Sequence, residues 1–180
     1  MDLDTVRRFD RPGPRYTSYP TAVEFHEGVG EEEYRRRLGE ADGRGEKEPL
    51  SLYAHLPFCE HRCLFCGCHV VITPHMPVAE KYLSYLEMEV GRVAELLPNR
   101  RSVAQMQWGG GTPTYFSPGQ LSGLMGTFRD HFAFVEGAEI AIEVDPRVTS
   151  RDHLDALAEL GFNRLSMGVQ DLTPEVQRAI

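Results

Sequence analysis

Residues 50–69 read LSLYAHLPFCEHRCLFCGCH, a short alternating segment followed at once by a cysteine-rich loop. In Leu50–Leu56 the apolar residues alternate with Ser51, Tyr53 and His55, which is the period-two pattern of a β-strand with one apolar face. The loop after it contains all four cysteines of the 180-residue chain. This stretch therefore predicts a strand whose carboxyl end carries a group of thiols.

Four segments share the period-two pattern, and each is followed by a helical pattern. The segments are Leu50–Leu56, Val103–Trp108, Glu139–Asp145 and Arg164–Asp171. Between them, apolar residues recur at helical spacing: Leu83, Leu86, Val90, Val93 and Leu97, then Leu121, Leu124, Met125, Phe128 and Phe132, then Leu154 and Leu157. Ser117 and either Thr149 or Ser150 are suited to start helices, Gly161 to end one, and Pro174 to open the last. Alternating strands and helices predict an α/β fold with a parallel sheet and right-handed crossovers.

The two faces of these strands differ in polarity. One face carries large apolar side chains: Leu52, Leu56, Met106, Trp108, Ile140, Ile142, Val144, Leu165, Met167 and Val169. The other carries Tyr53, His55, Gln105, Gln107, Glu143, Asp145, Ser166, Gly168 and Gln170. A strand covered by helices on both faces would be apolar throughout, so the polar face is expected to line a cavity. This favours a partial (β/α) barrel of about four β/α units, with its chemistry at the carboxyl ends of the strands.

The chain divides into two predicted regions. Residues 1–49 read as an N-terminal arm, a short charged helix over Glu31–Leu38 and a polar linker over Gly39–Pro49, and residues 50–180 read as the first part of the barrel. The net charge of -8 without a long basic run argues against nucleic-acid binding. Residues 1–14 have no apolar core of a signal peptide, and no apolar stretch is long enough to span a bilayer, so we expect a cytoplasmic protein. Thiols stay reduced there, which favours metal binding or catalysis over disulfides.

Cys59, Cys63 and Cys66 form a C-x3-C-x2-C pattern directly after the first strand, and two interpretations compete. A structural zinc site needs four closed ligands, which Cys68 or a neighbouring histidine could complete, but the second C-x2-C pair that is typical of zinc sites is absent. An iron-sulfur cluster held by only three cysteines leaves one iron for a small molecule, and the mouth of a polar barrel suits that arrangement.

Five ordered motifs add a resemblance to these patterns. They are RYTSYPTA (15–22), C-x3-C-x2-C with the further Cys68 (59–68), WGGGTPTY (108–115), EVDPR (143–147) and GFNRLSMGVQD (161–171). From about Phe9 to the last residue the chain resembles the oxygen-independent coproporphyrinogen III oxidases (dehydrogenases) of the radical S-adenosylmethionine (SAM) superfamily. Because the family's enzymes continue well beyond this length, we expect the chain to be an incomplete fragment, doubtful in activity by itself.

The resemblance implies cofactors and their ligands. It implies a 4Fe-4S cluster on Cys59, Cys63 and Cys66, with SAM on the remaining iron. Residues at the family's positions for this SAM are Tyr53, Gly110 and Glu143. Residues at the positions for a second SAM are Phe65, Gly111, Thr112 and Gln170. The chemistry that the resemblance implies is a one-electron cleavage of SAM to a 5'-deoxyadenosyl radical.

The implied reaction belongs to haem and porphyrin biosynthesis by its anaerobic route. Two propionates of coproporphyrinogen III are oxidatively decarboxylated to vinyl groups, giving protoporphyrinogen IX, with a low-potential electron donor as partner. We interpret Cys68 as a catalytic thiol that supports turnover without binding iron, and Arg11 or Arg15 as a partner for a substrate propionate. A related haem chaperone and a zinc-binding structural module are the alternatives, the first of which generally lacks Cys68 and RYTSYPTA.

Overall fold

The computed structural model describes residues 2–10, 24–64 and 66–179, which form two compact units, Met1–Arg35 and Arg36–Ile180. The predictions for Phe65, for Arg11 and Arg15 and for the RYTSYPTA stretch lie outside the described residues. The helices are α1 (Leu3–Phe9), α2 (Glu31–Asp42), α3 (Met76–Glu95), α4 (Pro118–His131), α5 (Arg151–Glu159) and α6 (Pro174–Ala179). The strands are β1 (Leu50–Leu56), β2 (Phe58–Cys59), β3 (Val71–Ile72), β4 (Ser102–Gly110), β5 (Ala133–Val144) and β6 (Arg164–Met167).

The main sheet is fully parallel, with the strand order β1-β4-β5-β6. The carboxyl ends of its strands are in register, since Leu56 pairs with Gly110 and Glu143 pairs with Ser166. A second parallel pair, β2 with β3, closes the base of the cysteine loop. The sheet is open, with β1 and β6 at its edges, and the predicted α/β fold with a parallel sheet is confirmed.

Helices α3, α4 and α5 cover the apolar face of the sheet. Buried side chains from these helices and from β1, β2, β4 and β5 form one core, which includes Leu86, Leu124, Leu157, Met106 and Trp108. The predicted helix starts are confirmed at Ser117 and Ser150, each of which accepts the backbone N–H three residues later in a capping box. The polar face of the sheet is left uncovered by these helices, which is the asymmetry that the alternating pattern predicts.

The segment predicted as a linker over Gly39–Pro49 is largely helical, so that prediction is wrong. Helix α2 continues to Asp42, and a 3-10 turn follows at Gly45–Lys47. The buried Asp42 carboxylate accepts the Asn99 backbone N–H at 2.7 Å and the Asn99 side-chain amide at 2.8 Å. These long-range bonds stabilise a helix end that local composition does not favour. The predicted boundary between residues 49 and 50 stays a prediction.

The apolar face of the last strand is the second correction. Leu165 is 49% exposed, Met167 is 61% exposed and Val169 is 51% exposed, although their alternation predicts burial. Strand β6 is an edge strand that ends at Met167, because β5 ends at Val144 and offers no further pairing. On α5, Leu154 is likewise 39% exposed while Leu157 is buried. Among the described helices, none is long and apolar enough to cross a membrane.

Candidate functional site

A cavity of about 580 Å³ lies at the carboxyl ends of the strands, on the polar side of the sheet. It brings together most of the side chains that the sequence singles out, although they come from four separate segments. Its predicted lining residues are Cys59, Cys63, Cys66, Cys68, Gly110, Gly111, Thr112, Glu143 and Gln170. Tyr53 does not line this cavity; it lies on β1, 60% exposed.

The cysteine loop is anchored at both ends by main-chain bonds. The Val71 N–H donates to Pro57 O at 2.8 Å, and the Thr73 N–H donates to Cys59 O at 3.1 Å. Within the loop, the Cys66 N–H donates to Cys63 O at 3.1 Å, which turns the chain back toward the cavity. The short β2-β3 pair therefore fixes the base of the loop while the thiols face a common space.

All four thiols are free, and their electrostatic environment is crowded. Burial raises the pKa of Cys59, and the nearby Cys66 and Cys63 raise it further, against the opposing effect of a 3.3 Å contact between the Cys59 Sγ and the Thr112 Oγ1. Burial also raises the pKa of Cys68, and its neighbour Cys66 adds to the effect. Several adjacent thiolates would repel one another here, so a positively charged metal group would relieve the crowding.

The thiols do not form a compact ligand set. Thiolates on a single zinc ion lie roughly 3.8 Å apart, given the short zinc-sulfur bond. Among the described residues, no group of three His, Cys, Asp or Glu side chains is placed to hold one metal ion. The thiols of Cys59, Cys63 and Cys66 thus line one cavity without forming a closed mononuclear site in the described part of the chain.

The glycine-rich turn after β4 requires glycine because other groups approach it closely. Gly110 has a φ of +119°, and a Cβ there would lie 2.8 Å from the His55 ring. A Cβ on Gly111 would lie 2.7 Å from the Pro57 backbone, directly before the cysteine loop. A Cβ on Gly109 would lie 2.9 Å from the Glu143 carboxyl group. The turn is thus a packed junction and not a flexible hinge.

The Glu143 carboxylate lies between this turn and the sheet. It accepts the Gly110 N–H at 3.3 Å and the Gln107 side-chain amide at 3.4 Å. These two donors orient the carboxylate at the cavity wall, half-buried at the end of β5. Such an oriented carboxylate can accept hydrogen bonds from the hydroxyl groups of a ligand.

Tyr53 is connected to the cysteine loop through a histidine. The His55 Nε2 lies 2.9 Å from the His69 carbonyl oxygen, so Nε2 carries the proton and donates it. The other ring nitrogen, Nδ1, then accepts the Tyr53 hydroxyl at 3.1 Å. Burial raises the pKa of Tyr53, and the negative charge of Glu143 raises it further. This chain of bonds ties β1 to the far end of the cysteine loop.

Arg147 and Asp145 are site residues to which sequence reasoning assigned no role. The Arg147 Nη2 donates to the Cys63 Sγ at 3.2 Å and to the Asp145 Oδ2 at 2.6 Å. The hydrogen bond from Arg147 lowers the pKa of Asp145. The signal was present in the EVDPR motif, but the contact joins residues 84 positions apart and cannot be derived from spacing.

A second cavity of about 590 Å³ lies against the same loop. Cys59, Cys63, Thr112, Asp145 and Arg147 contribute to the walls of both cavities. The remaining lining residues are Glu60, His61, Met76, Thr114, Tyr115, Ser117, Pro118, Val148 and His153. The segment that carries Cys59 and Cys63 therefore borders both spaces.

Comparison with known proteins agrees with this geometry. A family model described as the radical SAM superfamily matches residues 53–180. The oxygen-independent coproporphyrinogen III oxidase of Escherichia coli (strain K12) is 49% identical over 179 residues, covering 99% of this chain and 38% of that protein. The protein of the same name from Mannheimia haemolytica is 48% identical over 145 residues, covering 81% of this chain and 96% of that sequence.

A solved structure, described as coproporphyrinogen III oxidase from Escherichia coli and as a radical SAM enzyme, superposes with a TM-score of 0.81 at 48% identity. The match covers 98% of this chain and 38% of that structure, so the chain spans well under half of that relative's length. Both the family match and the high identity include the thiol loop, the glycine turn and Glu143. The chain therefore belongs to the radical SAM superfamily and, within it, to the family of oxygen-independent coproporphyrinogen III oxidases.

Proposed function

We propose that the chain supplies the cofactor-binding part of an oxygen-independent coproporphyrinogen III oxidase. The proposed reaction converts two propionates of coproporphyrinogen III into vinyl groups and yields protoporphyrinogen IX. The observation that carries this proposal is the single cavity in which three spaced thiols, the glycine turn and the Glu143 carboxylate meet. Because the chain spans 38% of its Escherichia coli relative, we do not assign complete turnover to these 180 residues alone.

Cys59, Cys63 and Cys66 are the proposed cluster ligands. Their donor chemistry suits iron-sulfur ligation, because iron-sulfur clusters are held by cysteine thiolates. A structural zinc ion needs a closed set of ligands, and the described part of the chain contains no closed group of three, which disfavours the zinc alternative. When bound, the cluster supplies the electron that cleaves SAM to a 5'-deoxyadenosyl radical. The task of the protein is to hold these groups in place and exclude stray reactions.

The neighbouring polar groups are proposed to bind SAM. Glu143 is oriented to accept a ribose hydroxyl, and the turn at Gly110 allows the ligand to approach the backbone closely. Tyr53 would orient this first SAM from β1, through the bond network that it shares with His55. For a second SAM we propose Gly111, Thr112 and Gln170, together with Phe65, which lies outside the described residues. Three of these four line the cavity, which supports the assignment.

Cys68 is proposed to act in turnover and not as an iron ligand. It is exposed and lines the same cavity, two residues beyond Cys66. We also propose a low-potential electron donor as partner, a propionate contact for Arg11 or Arg15, and a cytoplasmic location. These follow from the reaction and from the basic N-terminal stretch, in which Arg11 and Arg15 lie outside the described residues.

Anaerobic reconstitution of the purified chain with iron and sulfide tests the first step. The wild-type chain should bind iron and sulfide in equal amounts and show the brown absorbance of a cluster. Cys63→Ser should lose most of both, whereas Cys68→Ser should retain both. A chain that takes up zinc but no sulfide would contradict the proposal, and so would full cluster retention by Cys63→Ser.

A second experiment places these residues in a protein of the relatives' full length. There Cys68→Ser should keep its cluster and SAM cleavage but form less protoporphyrinogen IX. Product analysis with coproporphyrinogen III distinguishes an oxidase from a haem carrier, because a carrier would bind haem and form no vinyl product. Unchanged product formation by Cys68→Ser would contradict the role given to Cys68.

A further inference from the structure

The guanidinium group of Arg147 joins the end of β5 to the cysteine loop. Its Nη2 donates to the Cys63 Sγ at 3.2 Å, and the same side chain holds the Asp145 carboxylate at 2.6 to 3.1 Å through Nη2 and Nε. Cys63 and Arg147 line both cavities described above. The contact therefore borders both cavities and involves a proposed cluster ligand.

Arg147 is held in this position by a structured turn. The Arg147 backbone N–H donates to the Asp145 Oδ1 at 2.9 Å, so Asp145 binds both the backbone and the side chain of the same residue. The carbonyl of Asp145 in turn accepts the N–H groups of Val148 and Thr149 at 3.1 and 3.0 Å, and the Thr149 hydroxyl at 2.7 Å. Although the Arg147 side chain is 55% exposed, its planar group is fixed on two sides.

A guanidinium N–H aimed at a ligand sulfur has two chemical effects. It restrains the orientation of the ligand, and groups around metal ligands typically alter metal affinity by 10- to 100-fold when they are removed. It also withdraws electron density from the sulfur, and hydrogen bonds to the sulfurs are among the factors that set the reduction potential of an iron-sulfur cluster. A fixed positive charge beside the ligand stabilises the reduced, more negative state of the cluster. Both effects therefore raise its reduction potential.

We propose that Arg147 is a positioning residue that donates a hydrogen bond to the Cys63 sulfur, stabilises the bound cluster against loss and raises its reduction potential. Asp145 is the clamp that keeps the guanidinium group pointed at the sulfur. This inference rests on the proposed function, since it concerns a cluster ligated by Cys63. It adds a protein group that tunes the cluster from outside its ligand set.

The test compares Arg147→Gln, Arg147→Lys and Asp145→Asn with the wild-type chain after reconstitution. Arg151→Gln is the matched control: it removes the same charge four residues away, where the arginine side chain is 83% exposed, pairs with Asp155 and lines neither cavity. The measurements are the rate of iron release to a chelator and the midpoint potential from redox titration followed by electron paramagnetic resonance. Neither depends on turnover.

Arg147→Gln should release iron about tenfold faster, at the low end of effects from groups around ligands because the arginine is half exposed. Its midpoint potential should shift to more negative values. Arg147→Lys keeps the charge but loses the planar fork. Its midpoint potential should therefore stay close to that of the wild type, while it releases iron faster. Asp145→Asn should release iron faster, as Arg147→Gln does, because the guanidinium group loses its clamp. Since this substitution also removes a negative charge from the cavity wall, the rate of iron release, and not the midpoint potential, reports the loss of the clamp.

The inference is overturned if Arg147→Gln matches Arg151→Gln in both measurements. Should Arg147→Gln fail to fold, as judged by its circular dichroism, Arg147→Lys and Asp145→Asn decide by the rate of iron release, and rates equal to that of Arg151→Gln overturn the inference. A wild-type chain and an Arg151→Gln control that both acquire no cluster would instead contradict the proposed function itself. The two failures are therefore distinguishable.

Discussion

Gly111→Ala tests whether the junction between the glycine turn and the cysteine loop is as tightly packed as the structure shows. The added Cβ would lie 2.7 Å from the carbonyl carbon and oxygen of Pro57 and 2.8 Å from the Phe58 oxygen, far inside the 3.4 Å at which ordinary van der Waals contact begins. Both neighbours are main-chain atoms and cannot rotate away. One of the two segments must therefore move.

The movement has a definite cost. The segments are joined by two main-chain bonds, from the Gly111 N–H to Leu56 O and from the Thr112 N–H to Phe58 O, each at 2.9 Å. Weakening one of them costs about 1 kcal/mol, and overpacking a tight site typically costs another 1–3 kcal/mol. We expect Gly111→Ala to lower the free energy of unfolding by about 2–4 kcal/mol. With a urea m-value of about 2 kcal/mol/M, the unfolding midpoint should fall by about 1–2 M.

The assay is urea unfolding of the 180-residue chain, followed by far-ultraviolet circular dichroism, with Gly123→Ala as the matched control. Gly123 lies in α4, where an added Cβ meets nothing within 4 Å, so alanine should raise stability by up to about 1 kcal/mol through helix propensity. The same chemical change should thus have opposite signs at the two positions. An unfolding midpoint of Gly111→Ala equal to that of the wild type would refute the reasoning.

Three further predictions concern stability. Ser117→Ala removes the capping box of α4 and should cost about 1 kcal/mol, which lowers the melting temperature by about 2–4 °C in calorimetry; an unchanged melting temperature would contradict it. Arg100→Met should lower the urea midpoint by about 1 M, a loss of about 2 kcal/mol, because the buried guanidinium donates to three main-chain carbonyls; a midpoint within error of wild type would be the contrary result. The hydrogen bond from Gln105 and the ion pair with Arg164 lower the pKa of Glu139, so its contribution to stability is present above its ordinary pKa of 4.5 and is lost as the pH falls through the lowered value. In Glu139→Gln the urea midpoint should therefore depend less on pH in this acidic range, and an identical pH profile would exclude the effect.

Much of the fold could be predicted because a short-range pattern decides it. The period-two alternation of β1 gives its bounds residue for residue, and helix starts at Ser117 and Ser150 follow from the hydrogen bonds of one side chain. The failures have long-range causes. Helix α2 extends to Asp42 because Asn99 pairs with its carboxylate, and the side chains of β6 are exposed because the strand lies at the sheet edge. Neither cause is visible within ten residues of the affected segment.

The candidate site likewise has features that the sequence predicts and features that it does not. Its composition could be predicted, because the carboxyl ends of parallel strands meet at one edge and each end carries a recognisable motif. The connections between the motifs could not. The contacts of Arg147 with Cys63 and of Thr112 with Cys59 join residues more than fifty positions apart, and each depends on the exact course of a loop. The hydrogen bond between Tyr53 and His55 is local in sequence. The acceptor role of the His55 Nδ1, however, is set by the hydrogen bond from Nε2 to the His69 carbonyl at the end of the loop.

The main-chain bonds that join the glycine turn to β1 also place the first thiol, so folding and cofactor binding share one set of contacts. The Thr112 N–H is held by Phe58 O, and the Thr112 hydroxyl lies 3.3 Å from the Cys59 sulfur. Phe58 itself is buried and stacks on Tyr115 at 5.8 Å between ring centroids, which connects the thiol loop to the hydrophobic core. A substitution that loosens this junction should therefore lower stability and cluster retention together, whereas one at Arg147 should change the cluster while leaving the unfolding midpoint near that of the wild type. The two effects can be separated because the junction residues pack against the hydrophobic core, whereas Arg147 contacts the sulfur of Cys63 and the Asp145 turn.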